Sequence, residues 1–494
     1  MKTISIIGAG IGGLTSAIYL QNNGYNVKIF EKNSHPGGKM DIIQEKGFKF
    51  DTGPTIVMMP DVYKKPFTDS GVNYEDYFSL ERVNPFMDVI TGEGKVALSS
   101  DLTDLAREFE AYDESEMLGF LKYLTDIYGK YINAKDNFIY KSFRGPKDFF
   151  NFKTLWHAYK LKTFSSSFEA IQKNVSNTNL QYLLSFQTLY IGISPFSGPS
   201  IYNIIPMIEL VYGVWFIKGG MFEYAKALEK RFLELGGEVI YNSEVTKIVV
   251  PQNKHVNGLL INGNLEKSDA VIANSDFPYT MTDLLDISDT KKGKYSEKKV
   301  QSMDYSMSCF LLYLGVDTKY AELNLHTIKM ANNFEKNVED IDTGVLPEDP
   351  SFYVYNPSAI DDTFAPQDQS ALYVLVPVAN LKENENWSTE VVTNFSEKII
   401  KKVEKELGLV GLNEHIVYQS IHTPDTFKNK YNSAYGAAFG LKPTLKQSNY
   451  FRPHNKHSKI DNLYFAGASV HPGAGVPIVV TSGELTAKEV MRDL

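Results

Sequence analysis

One glycine-rich turn between two short hydrophobic stretches constrains the fold of this chain more than any other feature. Residues 3 to 7 are predicted to form a buried strand, Gly8-x-Gly10-x-x-Gly13 follows it, and an apolar helix is predicted over residues 12 to 22. Gly8 permits the tight turn, Gly10 lets the backbone approach a pyrophosphate, and Gly13 lets the helix pack close to the strand. The helix start adds free N–H groups and the positive end of its dipole. This stretch therefore predicts a Rossmann-type α/β domain that binds a dinucleotide.

A second strand, predicted over residues 26 to 30, ends on Glu31, whose carboxylate is suited to a ribose hydroxyl. Gly38 then lies in another run of small residues, where a flat molecule can again approach the backbone. Two such loops fit FAD, which is bound extended, better than a nicotinamide nucleotide. FAD is therefore the predicted cofactor. The predicted contacts from this part of the chain are Gly8, Ala9, Gly10, Ile11, Gly12, Gly13, Glu31, Lys32, Gly38 and Lys39.

The composition indicates an ordinary folded protein, with 43% hydrophobic and 22% charged residues. A length of 494 residues exceeds one simple core, so more than one domain is expected. The net charge of −9 argues against a nucleic-acid partner. Cys309 is the only cysteine of the sequence, which excludes an internal disulfide and fits a reducing cytoplasm. Because Met1-Lys2 leads directly into the first strand, we expect no signal peptide, and no stretch has the length of a membrane span.

Two later stretches have the same pattern of short strands, glycine-containing turns and helices as the N-terminal stretch. After Gly219-Gly220, the sequence predicts a helix, two strands, a hairpin over residues 262 to 263 and a strand over residues 269 to 273. Residues 462 to 477 predict a buried strand, a small-residue loop and a closing helix whose start suits an electron-rich carbonyl. The turn at Gly53 is interpreted either as a surface loop or as a loop lying over the cofactor. Further predicted cofactor contacts are Pro54, Thr55, Val245, Gly467, Ala468, Gly475, Val476 and Pro477.

These returns predict a discontinuous nucleotide-binding domain interrupted by two excursions. The excursion over residues 281 to 420 carries strand patterns near 306–315, 351–355 and 372–377 and a helix near 388–406, which indicate a mixed sheet. The predicted division is an FAD-binding domain in three parts (1–98, 218–280 and 421–494), a helical substrate and membrane-contact region (99–217) and a substrate domain (281–420).

Residues 135 to 173 differ in character from the rest of the chain. They hold eight lysine or arginine side chains, three acids and ten aromatic rings, so their local charge is +5. Basic side chains beside aromatic rings are typical of a segment that lies in the interface of an anionic membrane. A helical cap with a solvated charged face and an aromatic core has the same composition. A membrane-associating helical cap is therefore one of two interpretations.

Several stretches together resemble the bacterial carotenoid desaturases of the phytoene type. They are residues 8–13, 53–63, 200–209, 216–221 and 467–477, and the resemblance covers nearly the whole chain, most closely with members that act on C30 substrates. The resemblance implies an FAD-binding fold like that of glutathione reductase and the amine oxidases. It also implies a cytoplasmic, peripherally membrane-associated enzyme. Such an enzyme would oxidise saturated C–C bonds of a C30 isoprenoid to conjugated double bonds.

Such a reaction needs a flavin as hydride acceptor and an apolar chain held straight in a dry site. Arg144 and Asp148 are the candidate catalytic residues, although no hydrolase-like constellation indicates an acid or a base. His454 and His457 lack a third ligand nearby, which favours a solvated loop over a metal site. His471 is expected to position the closing loop. The candidate tunnel residues, each of which also fits a plain core, are Phe186, Tyr190, Ile204, Met207, Tyr212, Trp215 and Phe216.

Three other functions remain open from the sequence. A carotenoid oxygenase or isomerase on the same fold would add oxygen to its product or leave the mass unchanged. An amine oxidase would release peroxide with polyamines. A non-catalytic isoprenoid-carrying protein would bind no flavin, and the intact set of Gly8, Glu31 and Gly38 argues against it.

Overall fold

The computed structural model describes residues 1–161, 164–251 and 254–494. The β-strands in these ranges are β1 (Thr3–Ile7), β2 (Asn26–Phe30), β3 (Ile42–Glu45), β4 (Phe48–Asp51), β5 (Leu80–Val83), β6 (Met87–Thr91), β7 (Gly94–Leu98), β8 (Val214–Ile217), β9 (Glu238–Ile240), β10 (Val245–Val249), β11 (Gly258–Ile261), β12 (Asn264–Lys267), β13 (Ala270–Ala273), β14 (Ser308–Val316), β15 (His326–Lys329), β16 (Phe352–Tyr355), β17 (Ser370–Val378), β18 (Ile416–His422) and β19 (Leu463–Phe465).

The α-helices are α1 (Ile11–Asn22), α2 (Pro60–Asp69), α3 (Leu102–Glu110), α4 (Glu114–Ala134), α5 (Pro146–Phe149), α6 (Phe152–Leu161), α7 (Ser167–Gln172), α8 (Thr178–Leu183), α9 (Ile204–Tyr212), α10 (Met221–Glu234), α11 (Phe277–Tyr279), α12 (Glu297–Gln301), α13 (Phe334–Thr343), α14 (Thr389–Leu407), α15 (Leu412–His415), α16 (Pro424–Tyr431) and α17 (Val476–Asp493). No helix in the described ranges is long and apolar enough to cross a membrane.

A five-stranded parallel sheet brings together strands from three distant parts of the chain. Its order is β19-β13-β1-β2-β9, and every neighbouring pair is parallel. Every residue of β13 and β19 is buried, as expected for strands of a parallel sheet covered on both faces. The opening turn, the central return and the closing strand therefore belong to one domain, which confirms the predicted discontinuous arrangement.

The first and last helices pack closely against each other because both carry glycine at their crossing. The Ser16 hydroxyl donates to the carbonyl oxygen of Gly483 at 3.0 Å. A Cβ atom added to Gly483 would lie 2.7 Å from the carbonyl oxygen of Gly12. This close crossing places the starts of α1 and α17 at the same edge of the sheet.

The second large element is a seven-stranded mixed sheet of order β18-β14-β17-β16-β15-β6-β7. Its central strands are buried on both faces, and successive side chains point to opposite sides. Phe310, Leu312 and Leu314 pack into a core with α14, whereas Cys309 and Leu311 belong to the core on the other face. The division predicted from sequence placed residues 87–98 in the FAD-binding domain. They instead form the edge of this sheet, because β6 pairs in parallel with β15.

Candidate active site

A cavity of about 980 Å³ is lined by residues of the two large sheets and of helices α4, α5, α6 and α9. One part of its wall is formed by glycine-rich loops at the carboxyl edge of the parallel sheet. Another part is formed by apolar and aromatic side chains from α9, from the helical region and from the seven-stranded sheet. The two kinds of wall belong to the same cavity, so a polar molecule and an apolar one can meet inside it.

In the glycine-lined wall, the backbone of the first glycine turn lies directly against the backbone around Gly37. Gly10 forms a bridge with Gly37, and the Gly37 N–H donates to the carbonyl oxygen of Ala9 at 2.9 Å. Helices α1 and α17 both begin after a glycine, Gly10 and Gly475, with no side chain capping their first N–H groups. Two helix starts without side-chain caps facing one cavity fit the pyrophosphate and the flavin carbonyls of FAD.

Glu31 lies at the end of β2, buried, in the wall of the same cavity. Its Oε2 accepts the Ala9 N–H at 2.8 Å and its Oε1 accepts the Asn33 N–H at 2.9 Å. These bonds hold the carboxylate rigidly against the glycine turn. Each oxygen keeps a further acceptor site, so the group can still bind a ribose hydroxyl.

Most of the predicted cofactor contacts line the cavity. Ala9 and Gly13 do not: Ala9 is fully buried beneath Glu31, and a Cβ atom on Gly13 would lie 2.3 Å from the carbonyl oxygen of Gly8. Gly13 therefore serves helix packing. The predicted contacts found in the wall are Gly8, Gly10, Ile11, Gly12, Glu31, Lys32, Gly38, Lys39, Pro54, Thr55, Val245, Gly467, Ala468, Gly475, Val476 and Pro477.

Asn274 is a wall residue that the sequence analysis missed. Its Nδ2 donates to the carbonyl oxygen of Gly8 at 3.2 Å, which ties the glycine turn to the end of β13. A signal was present in the sequence, because a polar residue directly after a buried parallel strand lies at the ligand-binding edge of such a sheet.

Three of the seven candidate tunnel residues line the cavity: Phe186, Tyr190 and Ile204. The other four do not. Met207 and Phe216 are buried in the surrounding core, and Trp215 lies on β8, which pairs with β5. Tyr212 is 39% exposed and packs against Tyr131 on the outside of α9. Along α9 the wall is formed instead by Ile204, Ile205 and Ile208.

The seven-stranded sheet contributes a wall that the sequence analysis did not predict. Cys309 and Leu311 of β14 and Tyr373 and Leu375 of β17 line the cavity, together with Tyr353 of β16. These positions alternate along their strands, as residues on one face of a sheet do. Continuous apolar runs hide this alternation, because both faces of the strands are buried.

The two catalytic candidates, Arg144 and Asp148, are not among the residues that line the cavity. The Arg144 guanidinium pairs with Glu489 and Asp493 of α17. Asp148 accepts the N–H groups of Arg144 and Gly145 at 2.8 and 3.0 Å, and these bonds hold the pKa of its carboxyl below the ordinary value. Arg144 therefore fastens the segment around residue 146 to the last helix, and Asp148 stabilises the turn within that segment.

The histidines of the C-terminal part have structural surroundings. His457 is buried, and its Nδ1 accepts the N–H groups of Lys459 and Ile460, so it stabilises a turn and does not lie in a solvated loop as predicted. His471 is buried too, with its Nε2 at 2.9 Å from the carbonyl oxygen of Lys141, and burial lowers its pKa to about 3. Within the described ranges, no group of three or more His, Cys, Asp or Glu residues could hold a metal ion.

The cavity reaches the protein surface at a group of exposed apolar side chains, which we call the aromatic rim. Every member both lines the cavity and is at least 40% exposed. The members are Leu155, Tyr159, Phe164, Leu445 and Phe451.

Comparisons with known proteins agree with this geometry. The family described as Flavin containing amine oxidoreductase matches residues 11–491. A 4,4'-diapophytoene desaturase (4,4'-diaponeurosporene-forming) of Staphylococcus haemolyticus is 43% identical over 99% of both chains. The enzyme of the same name from Staphylococcus aureus is 42% identical, again over 99% of both.

Two solved structures share the fold. An oxidoreductase from Methanosarcina mazei has a TM-score of 0.64 at 17% identity and covers 99% of this chain and 100% of its own. Wild-type putrescine oxidase bound to putrescine has a TM-score of 0.65 at 14% identity and covers 99% of both chains. The fold is thus the amine-oxidase type of FAD-binding α/β fold with mixed sheets. By its sequence over the full length, the chain belongs to the flavin-containing amine oxidoreductase family and, within it, to the 4,4'-diapophytoene desaturases.

Proposed function

We propose that this chain is an FAD-dependent desaturase that converts 4,4'-diapophytoene, a C30 carotenoid precursor, to 4,4'-diaponeurosporene or a more desaturated product. The observation that carries the proposal is the continuity of a glycine-lined wall with a long apolar wall in one cavity. The relatives named above act on this C30 substrate. An apolar wall of this kind suits a hydrocarbon.

FAD, when bound, supplies the hydride acceptor of the reaction. The chain's own contribution is to hold and orient it. We propose that the pyrophosphate lies against the start of α1, that Glu31 binds the ribose, and that the start of α17 faces the flavin carbonyls. The loop of residues 52–55 would lie over the cofactor, since its residues line the cavity beside the glycine turns.

The cavity walls orient the substrate and exclude water from it. Ile204, Ile205 and Ile208 of α9 line the same cavity as the sheet wall, and together these residues would confine an extended chain. Excluding water matters because hydride loss leaves a carbocation on the substrate, which water would capture. The aromatic rim provides the entrance through which an insoluble chain reaches this site.

The direct test is incubation of FAD-loaded protein with 4,4'-diapophytoene in liposomes. We expect pigments that absorb visible light, each lighter by two hydrogens per step. Products that gain oxygen or keep their mass would indicate an oxygenase or an isomerase, and peroxide released from putrescine would indicate an amine oxidase. Colourless extracts with protein that retains its flavin would overturn the proposal.

We also propose that the segment of residues 135–173 rests on the membrane, so that the enzyme takes its substrate directly from lipid. Phe152 and Phe164 are each 88% exposed, and Trp156 is 49% exposed with the Lys160 ammonium 5.3 Å from its ring centre. Large exposed apolar patches mark interaction surfaces. Lipid is the occupant favoured here, because Phe164 belongs to the aromatic rim of the cavity and Trp156 lies beside a basic side chain.

Vesicle sedimentation tests this surface. Lys153→Glu with Lys160→Glu should release the protein from anionic liposomes, and Phe152→Ser with Phe164→Ser should weaken binding to neutral ones as well. Lys162, which also belongs to the predicted basic set, lies outside the described residues. The matched control is Lys298→Glu with Lys299→Glu on α12, remote in sequence from the segment. Equal sedimentation of all variants would contradict a membrane role for residues 135–173.

A further inference from the structure

The mechanism above leaves one step without a residue, which is the removal of a proton from the substrate. Deep in the cavity wall, three side chains form a buried hydrogen-bonded chain. The Tyr353 hydroxyl lies 2.7 Å from Oγ1 of Thr55 and 2.7 Å from Nδ1 of His326. Tyr353 and Thr55 line the cavity, whereas His326 lies behind them, 1% exposed.

The sheet register fixes this arrangement. His326 on β15 and Tyr353 on β16 lie on the same face of an antiparallel pair, in which His326 is directly opposite Tyr355. The His326 ring stacks on both tyrosine rings, with centroid distances of 5.9 Å to Tyr353 and 5.4 Å to Tyr355. The imidazole is thus held by packing, with one nitrogen directed at the Tyr353 hydroxyl.

The second nitrogen of His326 is the unexplained feature. Nε2 is buried and has no hydrogen-bond partner in the described part of the chain, which is costly for a purely structural group. Burial lowers the pKa of His326 to about 3 and raises the pKa of Tyr353 above its ordinary value. Both groups are therefore neutral at physiological pH, so neither carries a charge that would have to be desolvated when a hydrocarbon enters.

We propose that Tyr353 is the catalytic residue that receives the substrate proton, and that His326 acts through it as a positioning residue that accepts the tyrosine's own proton. This inference rests on the proposed desaturase function. Thr55 would orient the tyrosine by donating its hydroxyl to the tyrosine oxygen.

The step balances in atoms and electrons. FAD, when bound, would supply the acceptor for a hydride from the substrate, and the substrate would then carry an allylic cation. The adjacent C–H bond then breaks, and its electron pair becomes the new C=C bond. The released proton moves to the Tyr353 oxygen while the hydroxyl proton of Tyr353 moves to Nδ1 of His326. A base as weak as this imidazole suffices, because a carbocation is a far stronger acid than an imidazolium ion.

The test compares Tyr353→Phe with Tyr295→Phe in the FAD-loaded full-length protein. Tyr295 is also buried, its hydroxyl has no partner in the described residues, and it does not line the cavity. We expect Tyr353→Phe to slow desaturation by about 100-fold or more, the usual range for losing a proton-transfer group, with flavin content unchanged. Its Tm should fall, because Nδ1 of His326 and Oγ1 of Thr55 lose their hydrogen-bond partner. We expect Tyr295→Phe to change the rate less than about threefold.

Product mass gives a readout that a merely structural role would not move. Without its proton acceptor, the cation should be captured by water, so Tyr353→Phe should form products heavier by one water molecule than the desaturated ones. Nitrogen NMR of histidine-labelled protein gives a second readout, in which Tyr353→Phe should shift Nδ1 of His326 because its donor is gone.

The outcomes separate the two proposals. If the natural sequence does not desaturate 4,4'-diapophytoene, the proposed function fails. If it does, and Tyr353→Phe gives the normal product at the normal rate, Tyr353 is not the proton acceptor. A proton on Nδ1 of His326 in the NMR spectrum would reverse the donor and acceptor roles and would also overturn the relay.

Discussion

Glu209 of α9 allows a quantitative test of how apolar the wall region is. Its side chain is fully buried, and its one hydrogen-bond partner in the described residues is Nε2 of Gln187, 3.3 Å from Oε2. Its Oε1 has no partner there, nor has Oε1 of Gln187. Burial raises the pKa of the Glu209 carboxyl from 4.5 to about 8. A protonated carboxyl fits this site, since its O–H could donate to the free oxygen of Gln187.

The raised pKa makes stability depend on pH. Between pH 4.5 and about 8, the folded protein keeps a proton on Glu209 that the unfolded chain loses, so the free energy of unfolding falls as pH rises. With about 1.4 kcal/mol for each pH unit, the loss approaches about 5 kcal/mol at pH 8 and is about 3 kcal/mol at pH 7. Glu209→Gln removes this titration and preserves the pairing with Gln187 through its amide.

Thermal unfolding of both proteins from pH 5 to pH 8.5 measures the effect. As pH rises, the Tm of Glu209→Gln should increase relative to that of the natural sequence, by about 2–5 °C for a chain of this size. Glu116→Gln is the matched control. Both oxygens of Glu116 accept backbone N–H groups, from Ser176 and Asn177, so this change should destabilise the protein. A Tm difference between Glu209→Gln and the natural sequence that stays constant across this pH range would refute the reasoning.

Two further predictions concern the glycine turn and the single cysteine. Gly13→Ala should lower Tm and abolish flavin retention, measured by absorbance after gel filtration, because its Cβ would lie 2.3 Å from the carbonyl oxygen of Gly8; Gly129→Ala, with open space around its Cβ, should leave both unchanged. Burial raises the pKa of the Cys309 thiol to about 12, so maleimide labelling at pH 8 should proceed only after unfolding in urea, and rapid labelling of the folded protein would contradict this.

Strands β1 and β2 and helix α1 of the nucleotide-binding part could be predicted from sequence within about one residue at their ends. Glycine turns, short isoleucine-rich strands and the hairpin at residues 262–263 are local signals, and β1, α1, β2, β11, β12 and α17 follow them closely. The predicted convergence of distant glycine loops on one cavity is confirmed for the opening turn and the closing loop.

Features that depend on distant pairing were harder to predict. The position of β6 depends on β15, more than two hundred residues away, and no local pattern reports that pairing. Tyr212 and Trp215 are aromatic residues near the wall in sequence, but the orientation of α9 and β8 turns them away from the cavity. The contact between Tyr353 and His326 arises from sheet register alone. Such neighbours become visible only when the strands are assembled.

On β14 and β17, the residues that line the cavity and the residues that hold the sheet to α14 lie on opposite faces. Residues on one face, such as Leu311 and Leu375, meet the cavity, whereas their neighbours Leu312 and Val374 hold the sheet to α14. Substitutions at the cavity-lining positions can therefore change the length of polyene that the cavity accepts, without weakening the packing of the sheet on α14. Enzymes of this architecture can diverge in the length of the conjugated system they make, and hence in colour, through a handful of side chains on two strands.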